Sequence, residues 1–302
     1  MDQVMDYTEP ACAKLNLTLD ILGKRPDGYH EMRMVMQSID LADEVNISGS
    51  PEPGFHVSAD LPYLPRGEGN IAHKAASRFF EQTGLPPAGL SVRIHKRIPV
   101  CAGMAGGSSD GAAVLRVLRR AYAPQLPDSR LEEIGALVGS DVPYCIRGGT
   151  VLAEGRGEKM TSLPGLPPCW FVVCKPACSI STPELFAQVR VRKLRCHPDT
   201  AGLLAALEHG DLEGAARRMY NVFEDVLPRR YAQVFEIKSL LLELGAMTAS
   251  MTGSGPAVFG LFREKAAAET AAGALSGQYP AVFLCQPAPP FPEGKKNLEN
   301  PV

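Results

Sequence analysis

PVCAGMAGGSSDGAA, Pro99 to Ala113, is the stretch that decides the architecture. Gly103, Gly106 and Gly107 stand just before two hydroxyls, Ser108 and Ser109. An Ala-rich apolar pattern follows at Ala112, Ala113, Leu115, Val117 and Leu118, which predicts a helix running to about Tyr122. Glycines let the backbone take positive φ and approach a ligand closely. The loop's N–H groups then sit at a helix N-terminus, where unpaired donors and the helix dipole favour an anion. A nucleotide phosphate fits that description. The loop is neither G-x-x-x-x-G-K-[ST] nor G-x-G-x-x-G, so the common P-loop and dinucleotide fingerprints are excluded.

Working outward, two further glycine-rich elements stand near expected strand or helix starts. They are Gly139-Ser140-Asp141 and MTGSGPA at 251–257. Three such loops, far apart in sequence, point to a phosphate-centred site built from both halves of the chain. Upstream, residues 12–22 alternate as a strand, with Leu15, Leu17, Leu19 and Ile21 expected on one side. Lys14 is a lone cation in that strand. It is costly inside unless it meets a charge, and on alternation alone it could equally face solvent beside Asn16. Asp141 could cap a helix, or accept a proton from an alcohol.

Further strands are expected near 32–39, 44–47, 91–97, 170–174, 246–251, 257–263 and 281–285, and helices near 129–138, 183–191, 200–208, 211–219, 230–244 and 264–275. Asn70 is placed to cap a helix over 71–83. The segment 24–29, with Pro26 and Asp27-Gly28, reads as a turn. At 302 residues two domains are expected, with a junction near 161–168 where Pro, Gly and Ser gather. This gives domains at 1–162 and 163–286. Residues 287–302, with five prolines, are expected to form a mobile tail.

The net charge of −2 carries no broad basic footprint for nucleic acid. No apolar run is long enough to span a bilayer, and the N-terminus has no signal-like core, so a soluble, cytoplasmic protein is expected. The eight cysteines include no C-x-x-C pair and read as free thiols rather than metal ligands. Monomer and weak homodimer both stay open.

Four stretches together resemble the GHMP small-molecule kinases. They are PACAKLNLTLDILGKRPDGYHEM at 10–32, IPVCAGMAGGSSDGAA at 98–113, GSDVPYCIRGGTVLAEGRGE at 139–158 and SMTGSGPAVFG at 250–260. The glycine loop specifies only the superfamily. AKLNL followed by RPDGYH is similar to the branch that phosphorylates the 2-hydroxyl of 4-diphosphocytidyl-2-C-methyl-D-erythritol in the non-mevalonate isoprenoid pathway. The resemblance spans about residues 8 to 285. It implies an α+β fold of two domains, S5-like at the N-terminus and ferredoxin-like at the C-terminus, with the site in the cleft between them.

The resemblance also implies residue roles. Lys14 and Asp141 correspond to the catalytic pair, with Asp141 taking the hydroxyl proton while Lys14 orients and stabilises it. Asn16 corresponds to a substrate contact. Tyr29 and His30 correspond to the residues that hold the cytosine, one by stacking and one by hydrogen bonds. Phe186 corresponds to the aromatic on its other face, with Thr182 nearby. Pro99 and the run Gly103, Met104, Ala105, Gly106, Gly107, Ser108 and Ser109 correspond to the ATP phosphate loop, and Lys96 to an adenine-side contact. Gly253 and Gly255 correspond to a third motif near the phosphates and the substrate diphosphate. ATP and Mg²⁺ are the implied cofactors, with no metal ligands assignable. Ala at 102 and 105 replaces glycine found in some members and loses easy access to positive φ. The rival readings are a homoserine- or mevalonate-type kinase, and a non-catalytic nucleotide-binding protein on the same fold.

Overall fold

The computed structural model describes residues 6–191 and 194–292. Among them, the first half is organised on a seven-stranded sheet ordered β3-β4-β2-β1-β8, with β5 also paired to β2 and β6 paired to β5. Its strands are β1 (Asp6–Lys24), β2 (His30–Gly49), β3 (Phe55–Ala59), β4 (Leu90–His95), β5 (Thr150–Gly155), β6 (Lys159–Ser162) and the short β8 (Tyr220–Asn221). The helices α1 (Ile71–Thr83), α2 (Gly106–Tyr122), α3 (Asp128–Val138) and α4 (Val142–Arg147) belong to the same half. Asn70 caps α1 as expected: its side chain accepts the Ala72 amide at 2.9 Å. Residues 109–119 of α2 are buried, so this helix runs through the core rather than over it.

The second half carries a four-stranded antiparallel sheet, ordered β11-β7-β10-β9. These strands are β7 (Trp170–Lys175), β9 (Thr248–Met251), β10 (Val258–Phe262) and β11 (Ala281–Cys285). Its helices are α5 (Thr182–Gln188), α6 (Thr200–Glu208), α7 (Leu212–Ala216), α8 (Gln233–Glu243) and α9 (Lys265–Ser276). The halves interlock, because β8 lies in the second half of the chain yet pairs in parallel with β1 at Thr18 and Leu19.

Four local expectations change. First, Leu15, Leu17, Leu19 and Ile21 do not share one side. Ala13, Leu15 and Leu17 join one core, whereas Ala11, Leu19 and Ile21 join another. Register shifts between Cys12 and Lys14, and between Asn16 and Thr18, account for the switch. Such bulges re-aim side chains and concentrate near active sites.

Second, the strands expected at 32–39 and 44–47 are one continuous β2, held across the polar break by β1, which pairs with Ala42 and Asp43. Third, α4, β5 and β6 were not foreseen. Fourth, residues 287–292 of the expected mobile tail are docked. Pro287 bridges Ile39 and Pro290 bridges Gly148. The Ala288 amide donates to the Ser38 carbonyl at 2.8 Å, and the Arg116 guanidinium lies 3.5 Å over the Phe291 ring. A low apolar content hid these backbone pairings. Residues 293–302 lie outside the described residues. No helix among the described residues is long and apolar enough to cross a membrane.

Candidate active site

The first and third glycine-rich stretches meet each other and β1 at backbone contact. The Lys14 amide donates to the Met104 carbonyl at 3.2 Å, and the Ala257 amide donates to the Ala102 carbonyl at 3.3 Å. The Asn16 amide donates to Thr252 Oγ1 at 3.0 Å, and Thr252 Oγ1 donates in turn to the Gly103 carbonyl at 3.4 Å. Gly103 and Gly253 have φ of +77° and +56°, which favours glycine at both. A Cβ on Gly103 would stand 2.2 Å from the Thr252 carbonyl oxygen, so no side chain fits between the loops. The second half braces this junction: Asn221 Nδ2 donates to the carbonyls of Met251 (2.7 Å) and Gly253 (2.8 Å), and Glu224 accepts the Met251 amide at 2.7 Å.

Two cavities adjoin across the loop at 101–105 and Thr182. The first, of about 560 Å³, is lined by Pro99, Gly103, Met104, Ala105, Gly106, Gly107, Ser108 and Lys96, with Asn70, Ile71 and Ile94 on its far walls. The second, of about 600 Å³, gathers Lys14, Asn16, Tyr29, His30, Asp141, Thr182, Phe186, Gly253 and Gly255. Every expected site residue except Ser109 therefore lines one of the two. Ser109 turns away: it is 1% exposed and its Oγ donates to the Cys12 carbonyl at 2.6 Å. Ser109 thus ties α2 to β1 rather than facing the first cavity.

Lys14 is buried and faces the second cavity, not solvent. Burial lowers its pKa below the usual lysine range, and the nearby Asp141 charge partly offsets this. Its direct partner is Asn16, whose Oδ1 accepts from Nζ at 2.5 Å. Asn16 Nδ2 is buried with no hydrogen-bond partner among the described residues. A buried donor left unpaired costs about 1–3 kcal/mol, so this cavity atom is built for an acceptor from outside the chain. Asp141 precedes α4 but makes no side-chain capping bond, which leaves its carboxylate for the cavity.

In the aromatic wall His30 stacks on Phe186, with ring centroids 4.9 Å apart. Burial, then Lys24, lowers the His30 pKa, which favours the neutral ring. Phe186 is propped edge-on by Phe223 at 4.9 Å, and the Arg156 guanidinium lies 3.7 Å over the Tyr29 ring. Phe223 and Arg156 escaped the sequence reading. Arg156 lay inside a quoted motif, EGRGE, and Phe223 stood in a stretch with no clear periodicity. Thr182 and Ser254 hydroxyls meet at 2.7 Å and close the wall between α5 and the third glycine stretch.

Lys96 reaches the first cavity, but its ammonium is engaged by Asp43 and, at 2.8 Å, by Asp110. Burial opposes its charge, and the two carboxylates outweigh burial and raise its pKa. Among the described residues no three His, Cys, Asp or Glu side chains converge as a metal site.

Residues 70–149 match the GHMP kinase N-terminal domain and residues 203–281 the GHMP kinase C-terminal domain. A 4-diphosphocytidyl-2-C-methyl-D-erythritol kinase of Clostridium botulinum is 42% identical over 91% of this chain and 97% of its own length. The chain belongs to that kinase family. A crystal structure of a 4-(cytidine 5'-diphospho)-2C-methyl-D-erythritol kinase superposes with a TM-score of 0.79 at 31% identity, covering 93% of this chain and all of that one. A homoserine kinase from Cytophaga hutchinsonii shares the fold, with a TM-score of 0.74 at 18% identity over 96% of this chain and 98% of its own. As a GHMP kinase the protein is an ATP-dependent small-molecule phosphotransferase, and the two-domain α+β architecture expected from its motifs is the one it has.

Proposed function

We propose that this kinase transfers the γ-phosphoryl group of ATP to the 2-hydroxyl of 4-diphosphocytidyl-2-C-methyl-D-erythritol, with Lys14 and Asp141 as the catalytic pair. The carrying observation is that the two adjoining cavities meet at 101–105, with the Lys14–Asn16 pair and Asp141 on the acceptor side. Phosphoryl transfer needs mainly positioning and charge neutralisation. The glycine loop at the start of α2 presents N–H groups and the positive helix end to the phosphates.

In the reaction the hydroxyl oxygen of the substrate bonds to the γ-phosphorus, and the bond from that phosphorus to the β-bridging oxygen breaks. The hydroxyl proton passes to the Asp141 carboxylate, and ADP leaves. The Lys14 ammonium stands by the acceptor oxygen, and Asn16 Nδ2 donates to the substrate. The second cavity holds the cytidyl end between Tyr29 and Phe186, with neutral His30 offering a ring N–H and a lone pair to the base edge. Mg²⁺ commonly keeps several waters and binds through substrate phosphates, so the lack of a carboxylate cage is compatible with it. When bound, it would neutralise phosphate charge.

The test is product analysis by phosphorus NMR with wild type and Asp141→Asn. Wild type should convert the cytidyl substrate and ATP to the 2-phosphate and ADP. The variant keeps the shape but loses the base, and turnover should fall on the order of 10²–10⁴. Turnover within a few-fold of wild type would overturn the role of Asp141. Absence of the 2-phosphate with wild type would overturn the substrate.

A further inference from the structure

Three charged side chains are packed beside the first cavity. Lys96, which follows β4, reaches both Asp43 of β2 and Asp110 in α2. The Lys96 side chain is 4% exposed, that of Asp43 0% and that of Asp110 6%. Two carboxylates thus share one ammonium out of water, which leaves one negative charge uncompensated if both are ionised. Burying such a charge is costly enough that the group takes up a proton instead.

The geometry decides which carboxyl takes it. Asp43 has both oxygens committed as acceptors. Oδ1 takes the amides of Arg97 at 2.5 Å and Ile98 at 2.8 Å, and Oδ2 takes Lys96 Nζ. Among the described residues Asp110 accepts from Lys96 through Oδ2 only, while its Oδ1 is buried with no partner. A proton on Asp110 Oδ1 goes to an oxygen that accepts no hydrogen bond, whereas Asp43 accepts at both oxygens, and those bonds favour its ionised form. Burial, opposed by Lys96 and reinforced by Asp43, raises the Asp110 carboxyl to about 7. Lys96 and Asp43 are the charged groups that face it; the nearby Asp60 carboxylate is turned to the Lys96 amide.

Asp110 also lines the cavity assigned above to ATP, so bringing phosphate charge there raises the cost of its ionised form. We propose that Asp110 is a proton-binding positioning residue of the nucleotide site, and that ATP binding draws a proton from solvent onto its Oδ1. The neutral carboxyl then anchors the first turns of α2 to Lys96 without opposing the phosphates. This rests on the reading that the first cavity holds ATP.

The experiment is calorimetry of ATP binding to the full chain at pH 7.5 to 8.5, in two buffers of different ionisation enthalpy, for wild type and Asp110→Asn. ATP's own proton changes are shared by both proteins, so the difference between them belongs to Asp110. Wild type should take up more protons than the variant, and its affinity should fall by up to about tenfold per pH unit relative to the variant. Equal proton counts in the two proteins, or proton release by wild type relative to the variant, would overturn the inference. Release is the result expected if Asp110 stays ionised and faces a cation. If Asp110→Asn does not fold, isotope-edited infrared spectra of wild type decide: a protonated aspartate band must grow when ATP is added at pH 8, and its absence sinks the idea. Binding of ATP to neither protein would instead refute the ATP cavity itself.

Discussion

Gly253 and Gly103 lie backbone against backbone: a Cβ on Gly253 would stand 2.7 Å from the Gly103 carbonyl oxygen and 3.2 Å from Lys14 Nζ. The third glycine stretch is thus the surface against which the first one and Lys14 are set. Both glycines have positive φ, so a side chain brings backbone strain as well as a clash.

Gly253→Ala is therefore expected to separate the loops rather than adjust to them. Strain alone costs roughly 1–3 kcal/mol. Thermal unfolding should shift downward, and kcat should fall by more than the KM for ATP rises, because Lys14 is displaced. A variant with wild-type kcat would show that the contact is incidental to catalysis.

Lys14 supplies a pH prediction. Burial lowers its pKa from the ordinary lysine value, with Asp141 acting in the opposite direction. Between the folded and the unfolded pKa, the unfolded chain binds more protons. The contribution of Lys14 to stability therefore rises with pH through that window. In the role proposed for Lys14 the charged form stabilises the transferring phosphoryl group, so activity should decline on the alkaline side before a free lysine would titrate. Lys14→Arg keeps a charge to a far higher pH. The variant should be slower, through altered geometry, but its alkaline limb should vanish. A limb that stays where it was assigns that titration to another group.

Much of this was readable from residue order, and the exceptions are instructive. Asn70 and the apolar spacing behind it placed α1 without error, because capping and helical period are local signals. The glycine motifs marked the loops of the site for the same reason: positive φ and close approach select glycine directly. α4 was missed because six residues, with Pro143 near its start, are too short to show a period. Whether Lys14 faces in or out could not be read from alternation, since the bulges that bracket it depend on pairing with β2. Arg156 over Tyr29, and Asp43 and Asp110 on Lys96, are contacts between segments distant in sequence. No local pattern encodes them.

Ala105 immediately precedes α2 with φ of +59°, a left-handed conformation for a residue that carries a Cβ. Holding alanine there costs roughly 1–2 kcal/mol, and glycine would escape that cost. Glycine also adds unfolded-state freedom worth about 0.4–1 kcal/mol. The first effect is the larger, so Ala105→Gly should stabilise by somewhat under about 1 kcal/mol. Denaturant midpoints of the two proteins check this. Clear destabilisation would mean that the Ala105 methyl, which packs beside the core, contributes more than its backbone costs.

The aromatic wall gives the sharpest test of substrate choice. Phe186 is held on one side by Phe223 and covered by His30, while Tyr29 stands half-exposed under Arg156. A base entering between Tyr29 and Phe186 must take the place of His30 on the Phe186 face, and His30 then becomes free to meet the base edge. Stacking contributes roughly 1–3 kcal/mol per aromatic removed, about five- to hundredfold in affinity. Phe186→Ala and Tyr29→Ala should each weaken the cytidyl substrate by that much. ATP affinity should hold, because neither ring lines the first cavity. His30→Ala should act differently: stacking space opens, but unpaired groups on the base edge lower discrimination. Removing His30 should therefore relax selectivity for cytidine over uridine more than it lowers affinity. Binding measured for both nucleotide-linked acceptors and for ATP in the three variants decides the matter. Equal weakening of ATP and acceptor in Phe186→Ala and Tyr29→Ala would refute the clamp, and efficient phosphorylation of homoserine or mevalonate by wild type would refute the cytidyl selectivity it is meant to provide.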